Sequence, residues 1–218
     1  MEPIHKNRKM FELKYHGQVF ERGTIRWFQV IIKSVFKVSL LKKYGLQNAK
    51  NVGLNQIELQ VKSLPVKFDG CTILFITDMH IEGIDCLAEK IIRIVGQVEY
   101  DYCILGGDYS FGFDASNKVM RRQLRKVVEF LVEKSQVFGI LGNHDEYRIA
   151  EVLNGFGVDM LLNENVCLER EGDRVYLVGI DDCRFFRAAE LEQAAAAVPD
   201  DAFKIVLSHS PDLYKQAA

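Results

Sequence analysis

Long apolar runs and paired cysteine motifs are both missing from this 218-residue sequence. Its most apolar region, residues 25–41, is interrupted by Arg26, Lys33 and Lys37, whereas a membrane-spanning helix needs about 20 mostly apolar residues. The charged start is not followed by an apolar stretch with a small-residue cleavage site, so we expect no secretory signal peptide. Together with the basic amino-terminal arm described below, these absences predict a cytoplasmic protein, peripheral on the inner membrane face.

The cysteines are few, odd in number and widely spaced. No C-x-x-C pair occurs among Cys71, Cys86, Cys103, Cys167 and Cys183. This pattern argues against a disulfide framework and against a cysteine-rich zinc site, and it favours a reducing compartment. We expect each cysteine to be a small buried apolar residue.

Charge is distributed unevenly along the chain. Residues 1–50 contain 11 Lys or Arg and three Glu, a net charge of +8, while the remaining residues carry a net charge of −10. A basic arm on an acidic body suggests an anionic surface as the partner of the arm.

The basic arm contains an amphipathic pattern. Five polar residues, spaced three or four apart, form one stripe if the segment is helical: Arg22, Arg26, Gln29, Lys33 and Lys37. Trp27, Phe28, Ile31 and Val35 fall on the other side. We expect residues 20–43 to bind an anionic membrane surface; the alternative is a helix that packs its apolar face on the rest of the protein.

Beyond residue 55, segments with strand and helix patterns alternate. The predicted strands are 57–61, 72–77, 102–105, 137–141, 166–169, 174–180 and 203–207, with Glu171-Gly172-Asp173 as a hairpin turn. The predicted helices are 84–98, 117–134, 146–156 and 188–198. This alternation is typical of an α/β domain, and we divide the chain into a basic segment, 1–50, and a domain, 55–218.

Polar residues follow four of the predicted strands. The four sequences are Thr77-Asp78-Met79-His80, Gly106-Gly107-Asp108-Tyr109, Gly142-Asn143-His144-Asp145 and Ser208-His209-Ser210-Pro211-Asp212. Taken singly, each has an ordinary explanation: loop residues, a tight turn, a helix cap, or a hydrogen-bonded core histidine. In α/β folds, however, sites form at the carboxyl ends of strands.

Together these residues suggest a metal site. Carboxylate and imidazole ligands suit divalent metals, and the lack of nearby thiolates argues against a structural zinc site. Asp108 follows two glycines that allow close approach of the backbone, and its two oxygens could bridge two ions.

The ordered set D-x-H, G-D, G-N-H-D and a later His resembles the calcineurin-like metallophosphoesterases. The matching residues are Asp78, His80, Asp108, Asn143, His144 and His209, within residues 72–212. The resemblance implies a four-layered αββα sandwich of the α/β class. It implies that Asp78 and His80 bind one metal, that Asn143 and His209 bind the second, and that Asp108 bridges them. His144 would be catalytic, stabilising the phosphate or protonating the leaving group.

The family pattern also contains a G-H-x-H motif downstream of the His209 position. This sequence stops at Ala218 without it. We therefore expect the fold to be incomplete at the carboxyl end, the chain to be a truncated product or fragment, and metal binding and activity to be weak.

Two branches of the family fit this sequence poorly. Purple acid phosphatases carry a tyrosine ligand where this sequence has Phe111, and protein serine/threonine phosphatases carry Gly-Asn-His-Glu where it has Asp145. Phe68-Asp69-Gly70, Asp181-Asp182 and the sequence around His209 look like the bacterial membrane-associated branch, which is similar to UDP-2,3-diacylglucosamine hydrolase-like phosphoesterases. Asp181-Asp182 has a solvated turn as its alternative.

The resemblance implies a metal-dependent hydrolase of phosphate mono- or diesters or pyrophosphates. Two divalent ions (Mn, Fe, Zn or Co) and a bridging hydroxide would act on a phosphorylated small molecule or lipid, and we expect no nucleic acid partner. The alternative is a catalytically impaired protein of the same fold that acts only in binding or at the membrane surface.

Overall fold

The computed structural model describes residues 41–112 and 114–217. The predicted basic helix within residues 20–43 lies outside the described residues, except for its last three, which begin helix α1 (Leu41–Ala49). Within the part of the chain that the structure describes, no helix combines the length and the apolar character that crossing a membrane requires.

A parallel four-stranded sheet forms the centre of the fold. Its strands follow the order β1-β2-β3-β4, with bounds Ile73–Ile76, Tyr102–Leu105, Gln136–Gly139 and Asp159–Met160. The register places Ile76 beside Leu105, and Leu105 beside Gly139. The first three strands therefore end at the same level, and the loops that follow them meet at one edge of the sheet.

Three helices cover the outer face of this sheet. They are α2 (Leu87–Val95), α3 (Lys118–Val132) and α4 (Arg148–Asn154). The apolar positions of α3 recur three or four apart and are all buried: Met120, Leu124, Val127, Val128 and Leu131. Asn117 caps this helix, because its side chain accepts hydrogen bonds from the backbone N–H groups of Val119 and Met120.

A second sheet covers the inner face of the first. Its strands are β5 (Glu164–Arg170), β6 (Asp173–Gly179) and β7 (Phe203–Leu207), in that order. The β5–β6 pair is antiparallel and the β6–β7 pair is parallel. The inner faces of the two sheets form one apolar cluster that includes Phe138, Ile140, Leu177 and Leu207.

The outer face of the second sheet packs against α5 (Leu191–Ala194) and the turn after it. Val178, Ile180, Ala194 and Val198 form this smaller cluster. Together with α2–α4, the two sheets and α5 make four layers in the order helix, sheet, sheet, helix. The predicted α/β class and αββα arrangement are confirmed. The short helix α6 (Tyr214–Ala217) follows β7.

One predicted strand is wrong. Residues 57–61 form no regular structure, and Ile57 and Leu59 are each 78% exposed. Their alternating pattern indicates one apolar face, but a strand also needs a neighbour to accept its backbone hydrogen bonds. No described strand lies beside this segment.

The predicted buried strand 72–77 is only partly correct. Strand β1 covers Ile73–Ile76, and Leu74 is buried against the helices. Ile73 and Phe75 point to the opposite face and are 39% and 57% exposed. β1 is an edge strand, and the three strands of the second sheet do not extend over it.

Helix bounds are shorter than the sequence predicts, and one strand is missed. The predicted helix 188–198 is helical only over Leu191–Ala194, because the chain turns from Ala195 onward. Strand β4 has only two residues, too few for an alternating pattern to be recognised.

Candidate metal centre

The loops after β1 and β2 run side by side. Backbone N–H groups of Asp78 and His80 donate to the carbonyl oxygens of Gly107 and Asp108, each over 3.0 Å. Asp78, His80 and Asp108 all have positive φ angles, 54°, 38° and 55°. Such left-handed conformations are unfavourable for residues other than glycine, and the cross-loop hydrogen bonds hold them in place.

Two glycines bring the loops after β2 and β3 together. Gly107 has a φ of +95°, and a Cβ atom there would lie 2.5 Å from the backbone nitrogen of Gly142. A Cβ atom on Gly142 would in turn lie 2.6 Å from the backbone nitrogen of Asp108. A side chain at either position would separate the loop that carries Asp108 from the loop that carries Asn143.

Asp78, His80 and Asp108 form the first half of the site. One ligand atom from each side chain lies within 4.8 Å of the other two. Among the described residues, no other group of three or more His, Cys, Asp or Glu side chains meets this criterion. The Nε2 atom of His80 is 3.6 Å from Oδ2 of Asp108.

Asn143 and His209 form the second half of the site. The Nε2 atom of His209 lies 3.5 Å from Oδ1 of Asp108 and 3.2 Å from Oδ1 of Asn143. The two oxygens of Asp108 therefore face two different histidines, Oδ2 towards His80 and Oδ1 towards His209. The structure thus brings the predicted ligands to one place, in the two sets expected from the sequence, with Asp108 between them.

Both histidines are oriented by backbone carbonyl groups. The Nδ1 atoms of His80 and His209 lie 2.8 Å from the carbonyl oxygens of Ser110 and Gly106. A carbonyl oxygen can only accept, so each Nδ1 carries the proton and each Nε2 presents its lone pair to the site. This is the tautomer that binds a metal through Nε2, and the residues present therefore fit divalent cations.

His144 lies beside this group. Its backbone N–H donates to Oδ1 of Asp108 over 2.9 Å. Its ring is nearly perpendicular to that of His80, with 5.4 Å between ring centroids. A half-buried imidazole next to the proposed ligands is well placed to contact a bound phosphate, and its role stays a prediction.

Asp145 has a structural role that the sequence did not reveal. It is fully buried, and its carboxylate accepts hydrogen bonds from the backbone N–H groups of Asp108, Tyr109 and Gly142, over 2.7 to 2.9 Å. The alternative explanation of Asp145 as a helix cap is wrong, because α4 begins at Arg148 and its N-cap is Tyr147, without a side-chain hydrogen bond. Asp145 instead ties the loops after β2 and β3 together.

Tyr109 stabilises the same loops through its side-chain hydroxyl. Its hydroxyl donates to the carbonyl oxygen of Ile140 over 2.8 Å. Burial and the nearby negative charge of Asp145 raise the pKa of Tyr109 well above its ordinary value. Tyr109 is therefore a neutral hydrogen-bond donor at all physiological pH values.

Glu82 is another residue that supports the site and was not predicted from the sequence. Its Oε1 atom accepts hydrogen bonds from the Ser110 hydroxyl and the Phe111 backbone N–H, over 2.7 and 2.8 Å. Ser110 is the residue whose carbonyl oxygen orients His80. The only available signal was the position of Glu82, two residues after His80, and exposed loop glutamates are too common for that to be recognised.

Asp181 and Asp182 are not a solvated turn. They are 4% and 2% exposed, so this alternative is wrong. Oδ2 of Asp182 accepts the backbone N–H groups of Phe185 and Phe186, over 2.6 Å each. The pair therefore shapes the loop after β6, at the same end of the sandwich as the proposed ligands.

The chain resembles three curated proteins over most of its length. It is 27% identical over 211 residues to a Danio rerio protein named transmembrane protein with metallophosphoesterase domain, covering 87% of this chain and 46% of that protein. Two Bacillus subtilis (strain 168) proteins are similarly related. The uncharacterized metallophosphoesterase YkoQ is 26% identical (77% of this chain, 63% of that protein), and the uncharacterized protein YpbG is 25% identical (66% and 54%).

The chain thus spans about half to two-thirds of the length of these relatives. Their names do not mention a UDP-2,3-diacylglucosamine hydrolase, so that branch stays a prediction. The family model for calcineurin-like phosphoesterases matches residues 71–216, which include all of the proposed ligands. This chain belongs to the calcineurin-like phosphoesterase family.

Proposed function

We propose that the chain carries the catalytic centre of a metal-dependent phosphoesterase that hydrolyses a phosphate ester or pyrophosphate bond with two divalent cations. The observation that supports this most directly is the position of Asp108, whose two oxygens lie 3.5 and 3.6 Å from the Nε2 atoms of two different histidines. A carboxylate in this position can hold two cations side by side.

Each cation would have three protein ligands from the described residues. Asp78, His80 and Asp108 would hold one, and Asp108, Asn143 and His209 the other. When bound, divalent cations neutralise the charge of a phosphoryl group and lower the pKa of a water molecule. We infer that either Mn, Fe, Zn or Co is used, because carboxylate, imidazole and amide ligands accept all of them.

The protein's own contribution is to orient the ligands and to manage protons. The carbonyl groups of Ser110 and Gly106 fix the two imidazoles, and Asp145 fixes the loops. His144 would contact the phosphate and, when protonated, donate a proton to the leaving oxygen.

Asp108→Asn tests the proposal. The variant loses the charge and one ligand oxygen shared by both sites, so we expect metal content to fall at both positions and hydrolysis of bis-p-nitrophenyl phosphate to decrease by at least about 100-fold. Asp201→Asn, on the exposed turn before β7, is the matched control and should change neither. Metal analysis by mass spectrometry and a Mn²⁺-dependent rate assay provide the two measurements.

The variant His144→Asn tests whether His144 is a metal ligand or a catalytic residue. It should leave metal content nearly unchanged and slow turnover, since His144 is placed beside the ligands and not among them. Loss of both ions in His144→Asn would contradict this division of roles.

A protein that binds phosphorylated ligands without hydrolysing them is the second candidate. Stoichiometric metal and tight phosphate binding, together with no Mn²⁺-dependent hydrolysis in the unaltered chain, would select this candidate.

A further inference from the structure

A cavity of about 230 Å³ lies between the loop before α3 and the outer surface of α4. Two groups of residues line it: Ala115, Ser116 and Arg121 on one side, and Arg148, Glu151 and Val152 on the other. It is smaller than the roughly 300–1,000 Å³ of pockets that hold an entire drug-sized ligand. The cavity therefore suits one group of a larger substrate.

Its charged lining is predominantly basic. Arg121 and Arg148 supply two guanidinium groups, and Glu151 supplies one carboxylate. The arginines that form salt bridges in the described part of the chain are Arg125, Arg170 and Arg174. Arg121 and Arg148 form no salt bridge with another described residue. The 15-residue helix α3 begins beside the cavity, and its dipole adds positive potential there.

The cavity is connected to the metal centre by two short pieces of chain. The first is the loop after β2, in which Ser110 orients His80 and Phe111 packs edge-on against the His80 ring, 5.4 Å between centroids. This loop continues to Ala115, whose backbone N–H donates to Glu146 over 2.9 Å. The second is the segment from His144 to Arg148. Arg148, which lines the cavity, therefore lies only four residues after His144 along the chain.

We propose that Arg121 and Arg148 form a second anion subsite, which binds a phosphoryl group of the substrate other than the one that is hydrolysed. This rests on the proposed phosphoesterase function. Guanidinium groups bind phosphate oxygens through paired, charge-assisted hydrogen bonds. The substrate class is then a phosphoester with at least two phosphoryl groups, in preference to a diester with a single negative charge.

A matched pair of chromogenic substrates tests the preference. Thymidine 5′-(p-nitrophenyl phosphate) and its 3′-phosphorylated form differ only in the second phosphoryl group. We expect the unaltered chain to have a KM lower by about tenfold for the 3′-phosphorylated form. In Arg121→Gln/Arg148→Gln that difference should disappear. Equal KM values in the unaltered chain would overturn the proposal.

Arg93→Gln/Arg122→Gln is the control variant. It removes the same charge from exposed positions on α2 and α3 that do not line the cavity. It should keep the difference between the two substrates. If it removes the difference as completely as Arg121→Gln/Arg148→Gln does, the preference comes from overall charge and the assigned subsite is wrong.

A binding experiment tests the subsite independently of catalytic turnover. The metal-free full chain should bind inorganic pyrophosphate in calorimetry, and Arg121→Gln/Arg148→Gln should weaken this binding by about tenfold. No binding by the unaltered chain, or no change in the variant, would refute the subsite. By contrast, pyrophosphate binding without metal-dependent hydrolysis of either ester would refute only the proposed function.

Competition identifies the source of the second phosphoryl group. Thymidine 3′,5′-bisphosphate and short-chain phosphatidic acid should each displace pyrophosphate if the subsite recognises the phosphoryl group alone. Stronger displacement by one of them assigns the substrate to nucleotides or to lipids. Displacement by neither would contradict recognition of a phosphoryl group at Arg121 and Arg148.

Discussion

Asp145 shows how one buried carboxylate can organise a site without acting as a proposed ligand. Its two oxygens accept three backbone N–H groups from two loops. These donors belong to Asp108, the proposed bridging ligand, and to its two neighbours in space, Tyr109 and Gly142. The position of the Asp108 carboxylate between His80 and His209 therefore depends on Asp145.

Asp145→Asn is expected to loosen this arrangement. The amide keeps one acceptor oxygen, but its NH₂ group would face backbone donors and leave them unsatisfied. Because hydrogen bonds to a charged acceptor are worth about 1.5–3 kcal/mol each, we expect the free energy of unfolding to fall by about 3 kcal/mol, together with weaker metal binding. Urea denaturation and metal analysis measure the two effects.

Asp159→Asn is the control for this change. Asp159 lies on the exposed side of β4, and the substitution should alter stability by less than about 0.5 kcal/mol. Equal, small effects of the two substitutions would show that Asp145 does not hold the loops.

At the scale of elements, the site depends on how closely two loops approach. Gly107 has both a positive φ of +95° and no room for a Cβ atom, which would lie 2.5 Å from the Gly142 nitrogen. Gly172, in the turn between β5 and β6, has a similar φ of +91° but nothing within 4 Å of a Cβ atom. Substitutions at Gly107 and Gly172 therefore distinguish the effect of backbone strain from the effect of steric contact.

Gly107→Ala should therefore cost more than Gly172→Ala. We expect Gly172→Ala to lower the free energy of unfolding by about 1–2 kcal/mol, since it adds only left-handed strain. Gly107→Ala should lower it by more and also abolish metal binding, because the loops must separate. Thermal unfolding and metal titration of both variants test this. Equal losses of stability, with metal binding kept, would mean that the loops tolerate separation.

The sequence predicts the strands and ligands best where a local pattern carries the information. The bounds of β2 and β7 are correct to the residue, because each is a short apolar run between turn signals. Asp78, His80, Asp108 and Asn143 follow strands of the parallel sheet, so their convergence could be expected from the shared edge of that sheet. His209 follows β7 of the second sheet, so its place beside them was implied by the family resemblance. The position of Asp108 between two histidines was also expected, from the family resemblance.

What the sequence could not predict depends on contacts between distant segments. The alternation at Ile57 and Leu59 predicts a strand, but whether a partner strand lies beside it is not a local property. Asp145 is read locally as a helix cap, yet its hydrogen-bond partner Asp108 is 37 residues away. Exposure of Phe75 likewise depends on the width of the facing sheet.

Phe75 marks an uncovered edge of the sandwich. It is 57% exposed on β1, which ends one sheet, while β7 ends the facing sheet. Unpaired strand edges with exposed apolar side chains promote aggregation.

Phe75→Lys should reduce aggregation with little loss of stability, because more than half of the side chain is already in water. Leu54→Lys makes the same charge change at an exposed apolar residue, 50% accessible, outside both sheets. Light scattering during concentration should show a clear improvement for Phe75→Lys only. Equal improvement in both would indicate a general effect of charge, with no special role for the sheet edge.

For the whole molecule, the dominant feature is the contrast between a basic amino-terminal segment and an acidic remainder. Residues 1–50 carry a net charge of +8 and the rest a net charge of −10. We propose that residues 20–43 bind an anionic membrane surface, which would place the acidic domain, and with it the metal centre, beside lipid or lipid-linked phosphoesters.

Vesicle binding of the full chain tests this proposal. Binding to vesicles containing phosphatidylglycerol should be strong at low salt and fall as salt is added, because the attraction is electrostatic. Lys33→Glu/Lys37→Glu should weaken it by about 30-fold or more, since each Lys near an anionic leaflet is worth about 1 kcal/mol.

Lys9→Glu/Lys14→Glu makes the same change of charge in the same segment but outside the polar stripe of Arg22–Lys37. If the stripe is the contact surface, this second variant keeps most of the binding. If both variants lose the same amount of binding, the effect comes from net charge and not from the stripe. If the unaltered chain binds equally well to neutral phosphatidylcholine vesicles, the contact is not electrostatic and the proposal is wrong. The remaining alternative, a helix that packs its apolar face on the domain, predicts that neither variant changes vesicle binding.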